Sequence, residues 1–125
     1  MCCSVALYVK SISLPSALLL FVCVTQSSEL ALKCYNNRAA CHKQLSNFEG
    51  TISDSTAVLE YKPDDVKALV RRAQAFEACE RYKSALQDVR QVLAFGVDVV
   101  GKPTFDLANG MQHRLNKVIA QLRND

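Results

Sequence analysis

Residues 34–65 read CYNNRAACHKQLSNFEGTISDSTAVLEYKPDD, and residues 68–98 read ALVRRAQAFEACERYKSALQDVRQVLAFGVD; the two blocks align at an offset of 34 residues. In that register Tyr35 falls on Leu69, Arg38 on Arg72, Ala39 on Ala73, Phe48 on Tyr82, Ile52 on Leu86, Leu59 on Leu93 and Tyr61 on Phe95. A period of this length marks a helical hairpin that cannot bury its apolar face alone and stacks on the next copy. The stretch therefore predicts an all-α, right-handed stack of two hairpins, at about 30–63 and 64–97, followed by a C-terminal helix at about 103–123.

Local signals divide the hairpins. Leu30, Leu32, Tyr35, Ala39, His42 and Leu45 recur near helical spacing, with Ser28 expected as N-cap and Glu29 at the positive end of the helix dipole. Ser46-Asn47-Phe48-Glu49 has the S-x-x-E form of a capping box, so a second helix is expected from there to about Glu60 after a very short loop. Such a loop makes the two helices antiparallel neighbours, with Ala39 and Ala40 at their close approach. Pro63 stops the second helix. Asp64 is then expected to cap a third helix, which buries Val66, Leu69, Ala73 and Phe76, and a fourth runs from Tyr82 to about Phe95. Residues 97–102 are expected as a loop. The last helix, Thr104 to Leu122, presents Leu107, Met111, Leu115, Val118, Ile119 and Leu122, and its polar face (Gln112, Arg114, Asn116, Lys117) suits a cap on the open end of the stack.

Residues 1–28 are unlike the rest. Leu14 to Thr25, LPSALLLFVCVT, is almost wholly apolar, follows the single cation Lys10 and precedes Gln26-Ser27-Ser28. Two readings stay open: the core of a secretory signal, or a hydrophobic helix packed where another hairpin would stand. A bilayer span needs about 20 apolar residues, and extending the run backwards would place Lys10 and Pro15 inside it. The first reading puts the protein in the secretory pathway, the second in the cytoplasm.

Composition excludes several classes. With 125 residues, 50% of them hydrophobic and 22% charged, the chain reads as one globular domain. Fifteen basic against 12 acidic residues give no field suited to nucleic acid. The six cysteines form no C-x-x-C pair, so buried reduced thiols fit better than zinc or a redox motif. Neither His42 nor His113 lies at a spacing that reads as a catalytic triad, and no phosphate loop or H-E-x-x-H occurs. No enzyme, metal or cofactor is expected. Arg38 and Arg72 are expected to bridge acids on neighbouring helices, His42 to pack in the core and His113 to be exposed.

Tyr35-Asn36-Asn37-Arg38-Ala39-Ala40, the positions of Phe48 and Ile52, Leu59 to Asp64 and Lys67 to Arg72 together resemble the tetratricopeptide repeats of heat-shock co-chaperones, of the Hsp-organising protein and Unc-45 myosin chaperone kind. The resemblance covers Leu30 to about Phe95. It implies a groove lined by the first helix of each hairpin, in which a carboxylate clamp grips an acidic C-terminal tail. Asn37 matches the clamp asparagine, Lys67 the clamp lysine and Arg71 the clamp arginine. The implied partners are heat-shock chaperones of the classes of about 70 and 90 kDa, captured through a terminal carboxylate. The resemblance also implies a preceding hairpin with a further lysine and asparagine; residues 1–28 show no such motif, so the first repeat is expected to be missing. Lys67 and Arg71 are four apart and share a helical face, while Asn37 occupies the place of Arg71 one repeat earlier. The alternative is a structural scaffold or remnant repeat protein without clamp function, membrane-anchored or secreted through residues 1–28.

Overall fold

The computed structural model describes residues 17–125, with side chains from residue 28 onward. Six helices follow in order: α1 Ala17–Gln44, α2 Phe48–Tyr61, α3 Val66–Ala78, α4 Tyr82–Ala94, α5 Val97–Val100 and α6 Lys102–Asn124. No strand occurs among the described residues. The helices pack on their neighbours in sequence, α1 on α2, α2 on α3, α3 on α4 and α4 on α6, while α1 also touches α3. The result is the hairpin stack that the 34-residue register predicts, with α6 laid over the last hairpin.

The two hairpins turn by the same device. Asn47 N–H donates to His42 O at 2.8 Å and Ser46 N–H to Lys43 O at 3.1 Å; one repeat on, Arg81 N–H donates to Phe76 O at 2.8 Å and Glu80 N–H to Glu77 O at 3.2 Å. This is the Schellman pattern, which satisfies the last carbonyls of a helix by setting one residue in the left-handed region. Ser46 and Glu80 are those residues, at φ 57° and 60°. The capping box expected at Ser46 therefore does not form. Ser46 ends α1, and Asn47 caps α2 by accepting from Gly50 N–H at 3.1 Å.

Other boundaries move for equally local reasons. α1 runs unbroken through Ser28, which is consequently not an N-cap: no glycine or proline interrupts Ala17–Gln44. The part of the apolar run before Ala17, and the expectations attached to residues 1–16, lie outside the described residues. No helix among the described residues is long and apolar enough to cross a membrane. Asp65, not Asp64, caps α3, accepting from Ala68 N–H at 3.1 Å. Residues 97–102 are not a plain loop. Gly96 and Gly101, both at φ 83° with ψ of 159° and 147°, bracket the single helical turn α5 in a backbone region that only glycine enters readily.

One core joins the hairpins to α6. Val58 and Leu59 of α2, Leu69 and Ala73 of α3, Ala85, Val89 and Val92 of α4, and Ala108, Met111 and Leu115 of α6 are all buried within it. Burial of a side chain such as Leu69 contributes about 1.5–3 kcal/mol, so α6 is held chiefly by Met111 and Leu115. Its buried stripe is narrower than expected, because Leu107 and Leu122 are exposed. Leu45 is likewise exposed at 78%, since α1 ends before it. In the first hairpin Thr51 and Ser55 are fully buried between helices; Thr51 Oγ1 donates to Asn47 O at 2.9 Å, whereas Ser55 Oγ has no hydrogen-bond partner among the described residues.

Two ion pairs to buried aspartates sit at equivalent repeat positions. Arg38 meets Asp54 through Nε to Oδ2 at 2.7 Å and Nη2 to Oδ1 at 2.6 Å. Arg72 meets Asp88 at the same two distances. Both arginines thus bridge acids on neighbouring helices, and each guanidinium also lies over an aromatic ring, Arg38 over Tyr35 and Arg72 over Phe76. The hydrogen bond to Asp54 raises the Arg38 pKa, which keeps it charged. His42 is half-buried and polar in its contacts, its Nε2 lying 3.6 Å from Asp54 Oδ2 and its Nδ1 3.2 Å from Asn47 Nδ2. His113 is exposed.

Candidate functional site

A concave cavity of about 380 Å³ opens where α1 meets α3, bounded by α5 and the start of α6. Its α3 wall is set by helical spacing: Lys67, Arg71 and Gln74 follow at i, i+4 and i+7, with Val66 and Val70 one residue before Lys67 and Arg71. Lys43 enters from the last turn of α1. Val99, Val100, Thr104 and Leu107 close the far side, so the α5 turn between its two glycines forms part of the wall. Among the described residues three cations and no carboxylate line this space.

Arg71 is held rather than loose. Its Nη1 donates to Asn36 O at 3.3 Å and to Asn36 Oδ1 at 3.2 Å. Asn36 Nδ2 donates in turn to Asp65 Oδ2 at 3.4 Å, and the other oxygen of Asp65 caps α3. A chain of hydrogen bonds therefore runs from the α3 N-terminus through α1 to the guanidinium. Charge-assisted bonds from a guanidinium to an anionic ligand are about twice as strong as neutral ones.

The structure brings Lys67 and Arg71 together on one wall. Asn37 is exposed on α1, next in sequence to Asn36, and is not among the residues that line the cavity. Sequence reasoning missed Asn36 and Lys43. Asn36 stands inside the quoted Asn-Asn-Arg-Ala block, and the only signal for its role is its place 35 residues before Arg71, which becomes a contact once α1 and α3 stack.

A second concavity, of about 490 Å³, lies between the start of α4 and the end of α6 and is lined by Tyr82, Ile119 and Leu122 with Arg81, Lys83 and Arg123. Cys34, Cys41 and Cys79 are each half-buried. Among the described residues no cluster of histidine, cysteine or acidic side chains could hold a metal ion.

The fold and its repeated Schellman turns and ion pairs define a tetratricopeptide-repeat-like helical protein. No family model matches the chain. It is 37% identical over 87 residues to sperm-associated antigen 1A of Danio rerio, covering 70% of this chain and 19% of that protein. It is 36% identical over 88 residues to sperm-associated antigen 1 of Homo sapiens, covering 70% of this chain and 9% of the relative. A shorter match, 46% identical over 59 residues, is to the mitochondrial import receptor subunit TOM34 of Homo sapiens, covering 47% of this chain and 19% of that protein. The matched stretch is thus a fifth or less of each relative's length.

Proposed function

We propose that this chain is a peptide-binding adaptor whose α1–α3 groove takes the acidic C-terminal tail of a heat-shock chaperone, of the classes of about 70 and 90 kDa, by its terminal carboxylate. The observation that carries the reading is a groove lined by Lys43, Lys67 and Arg71 with, among the described residues, no acidic side chain, and with Val66 and Val70 beside them. Asn36 orients Arg71, so the guanidinium pays little ordering entropy when it meets a carboxylate. The relative named as a mitochondrial import receptor subunit supports a receptor-type binding role. Within this reading Asn37, exposed on α1 beside Asn36, supplies a further neutral donor to the peptide.

The test is a titration with an acidic peptide carrying a free C-terminal carboxylate, repeated with its amide and with the Arg71→Ala variant. Loss of a charge-assisted hydrogen bond costs about 1.5–3 kcal/mol, so amidation and Arg71→Ala should each weaken binding about ten- to a hundredfold. Equal binding in all three cases rejects the clamp.

One observation favours a second reading, a structural repeat without clamp function: part of Arg71 already ties α3 to Asn36 of α1. On that reading Arg71→Ala lowers the melting temperature and no acidic peptide binds.

A further inference from the structure

We infer that Lys43 is a specificity-determining residue of this groove, selecting peptides that carry an acidic side chain two to three residues before the C-terminal carboxylate. The inference rests on the peptide-binding reading above. Its first support is the pairing of charges. Arg38, Arg72, Arg81 and Arg114 each meet a carboxylate, at Asp54, Asp88, Glu49 and Glu77. The groove is different: Arg71 is held by the Asn36 amide, and Lys43 Nζ donates to Gln74 Oε1 across the α1–α3 gap. Amides fix these cations in place without neutralising them, and the positive charge stays available to an anionic ligand.

The repeat itself supplies a second support. In the 34-residue register Lys43 corresponds to Glu77, which pairs with Arg114 of α6. The same position thus ties one helix to the next in both repeats. In the second repeat the tie is an ion pair, whereas in the first it is a lysine on a glutamine. An acid at either partner would serve the stack at least as well, so stacking alone does not call for an uncompensated ammonium at the rim of the groove.

Spacing sets what Lys43 reads. Gln74, over which the ammonium is held, lies seven residues beyond Lys67 on α3, an axial distance of about 10 Å at 1.5 Å per residue. An extended peptide advances about 3.3 Å per residue. A tail with its terminal carboxylate at Lys67 and Arg71 therefore brings a side chain two to three positions upstream beneath Lys43.

The experiment uses the full chain and short acidic peptides with a free C-terminal carboxylate, differing by Glu or Gln at the third position before the last residue. Wild type should prefer the Glu peptide by about two- to fivefold, the size expected for a solvent-accessible charge pair. Lys43→Ala and Lys43→Met should erase that preference while keeping the penalty for amidation; Arg71→Ala should do the reverse. Lys43 is exposed on a helix end, and circular dichroism melts of both variants check that they fold. Wild-type binding without a Glu preference, or a preference that survives in both Lys43 variants, overturns the inference and leaves the clamp standing. Failure of wild type to bind either peptide, or binding that ignores amidation, overturns the clamp and the inference with it.

Discussion

Replacing Arg72 by alanine should destabilise the fold far more than the same change at Arg38, although the two arginines occupy equivalent positions and make the same bidentate bond. The Arg72 side chain is 20% exposed and the Arg38 side chain 56%, while each partner aspartate is 4% exposed. Arg72 also donates through Nη1 to Thr56 Oγ1 at 3.3 Å, so one guanidinium joins α3 to α4 and to α2. Its removal strands the Asp88 carboxylate where water cannot easily follow, a loss of about 3–5 kcal/mol for a broken buried pair. Removal of Arg38 instead opens a channel to solvent beside Asp54, and His42 Nε2 remains 3.6 Å from that carboxylate. A cost of about 1–2 kcal/mol follows, within the range of a partly solvated hydrogen-bonded charge. At about 4–8 °C per kcal/mol for a small domain, Arg72→Ala should lower Tm by more than about 10 °C and Arg38→Ala by clearly less. Far-UV circular dichroism melts with urea titrations measure both. Equal losses, or an Arg72→Ala loss below about 1 kcal/mol, would refute the reasoning from burial.

Glu80→Gly should raise stability by about 1 kcal/mol, because a left-handed φ of 60° is strained for glutamate and natural for glycine; a lower urea midpoint would argue against that strain. Ser55→Ala should leave stability unchanged or raise it by about 1 kcal/mol by removing a buried hydroxyl without a partner among the described residues, and a loss beyond about 1 kcal/mol would show that the hydroxyl is used. Leu115→Ala should cost about 2–5 kcal/mol through the cavity left under α6. Hydrogen exchange should then show α6 opening before α3; uniform protection across both helices would contradict the packing order.

The repeat architecture was legible because it rests on periodicity and on few strong signals. The 34-residue register identified Arg38 and Arg72 as equivalents, and Pro63 and the apolar spacing of Leu69, Ala73, Leu86 and Val89 placed α2 to α4. Boundaries were less legible where one residue type serves two purposes. Ser46 reads as a helix start by pattern, yet it ends α1 because the Schellman turn needs a residue there in the left-handed region, and the cap passes to Asn47. Ser28 reads as a cap in the same way, but nothing around it breaks the helix. Gly96 and Gly101 signal irregular backbone correctly and conceal the helical turn between them. Lys67 and Arg71 could be paired from their spacing on one helix. The Asn36–Arg71 bond and the Lys43–Gln74 bond cross from α1 to α3, and such contacts depend on interhelical distance and rotation, which one strand of sequence does not carry.

The most direct measurement of the groove's role is a map of backbone amide chemical shifts during titration with a short acidic peptide bearing a free C-terminal carboxylate. The account predicts saturable shifts at Asn36, Lys43, Lys67, Arg71 and Gln74, with the amidated peptide leaving them nearly unmoved. Shifts centred instead on Tyr82, Ile119 and Leu122 at the second concavity, or equal shifts with both peptides, would contradict it.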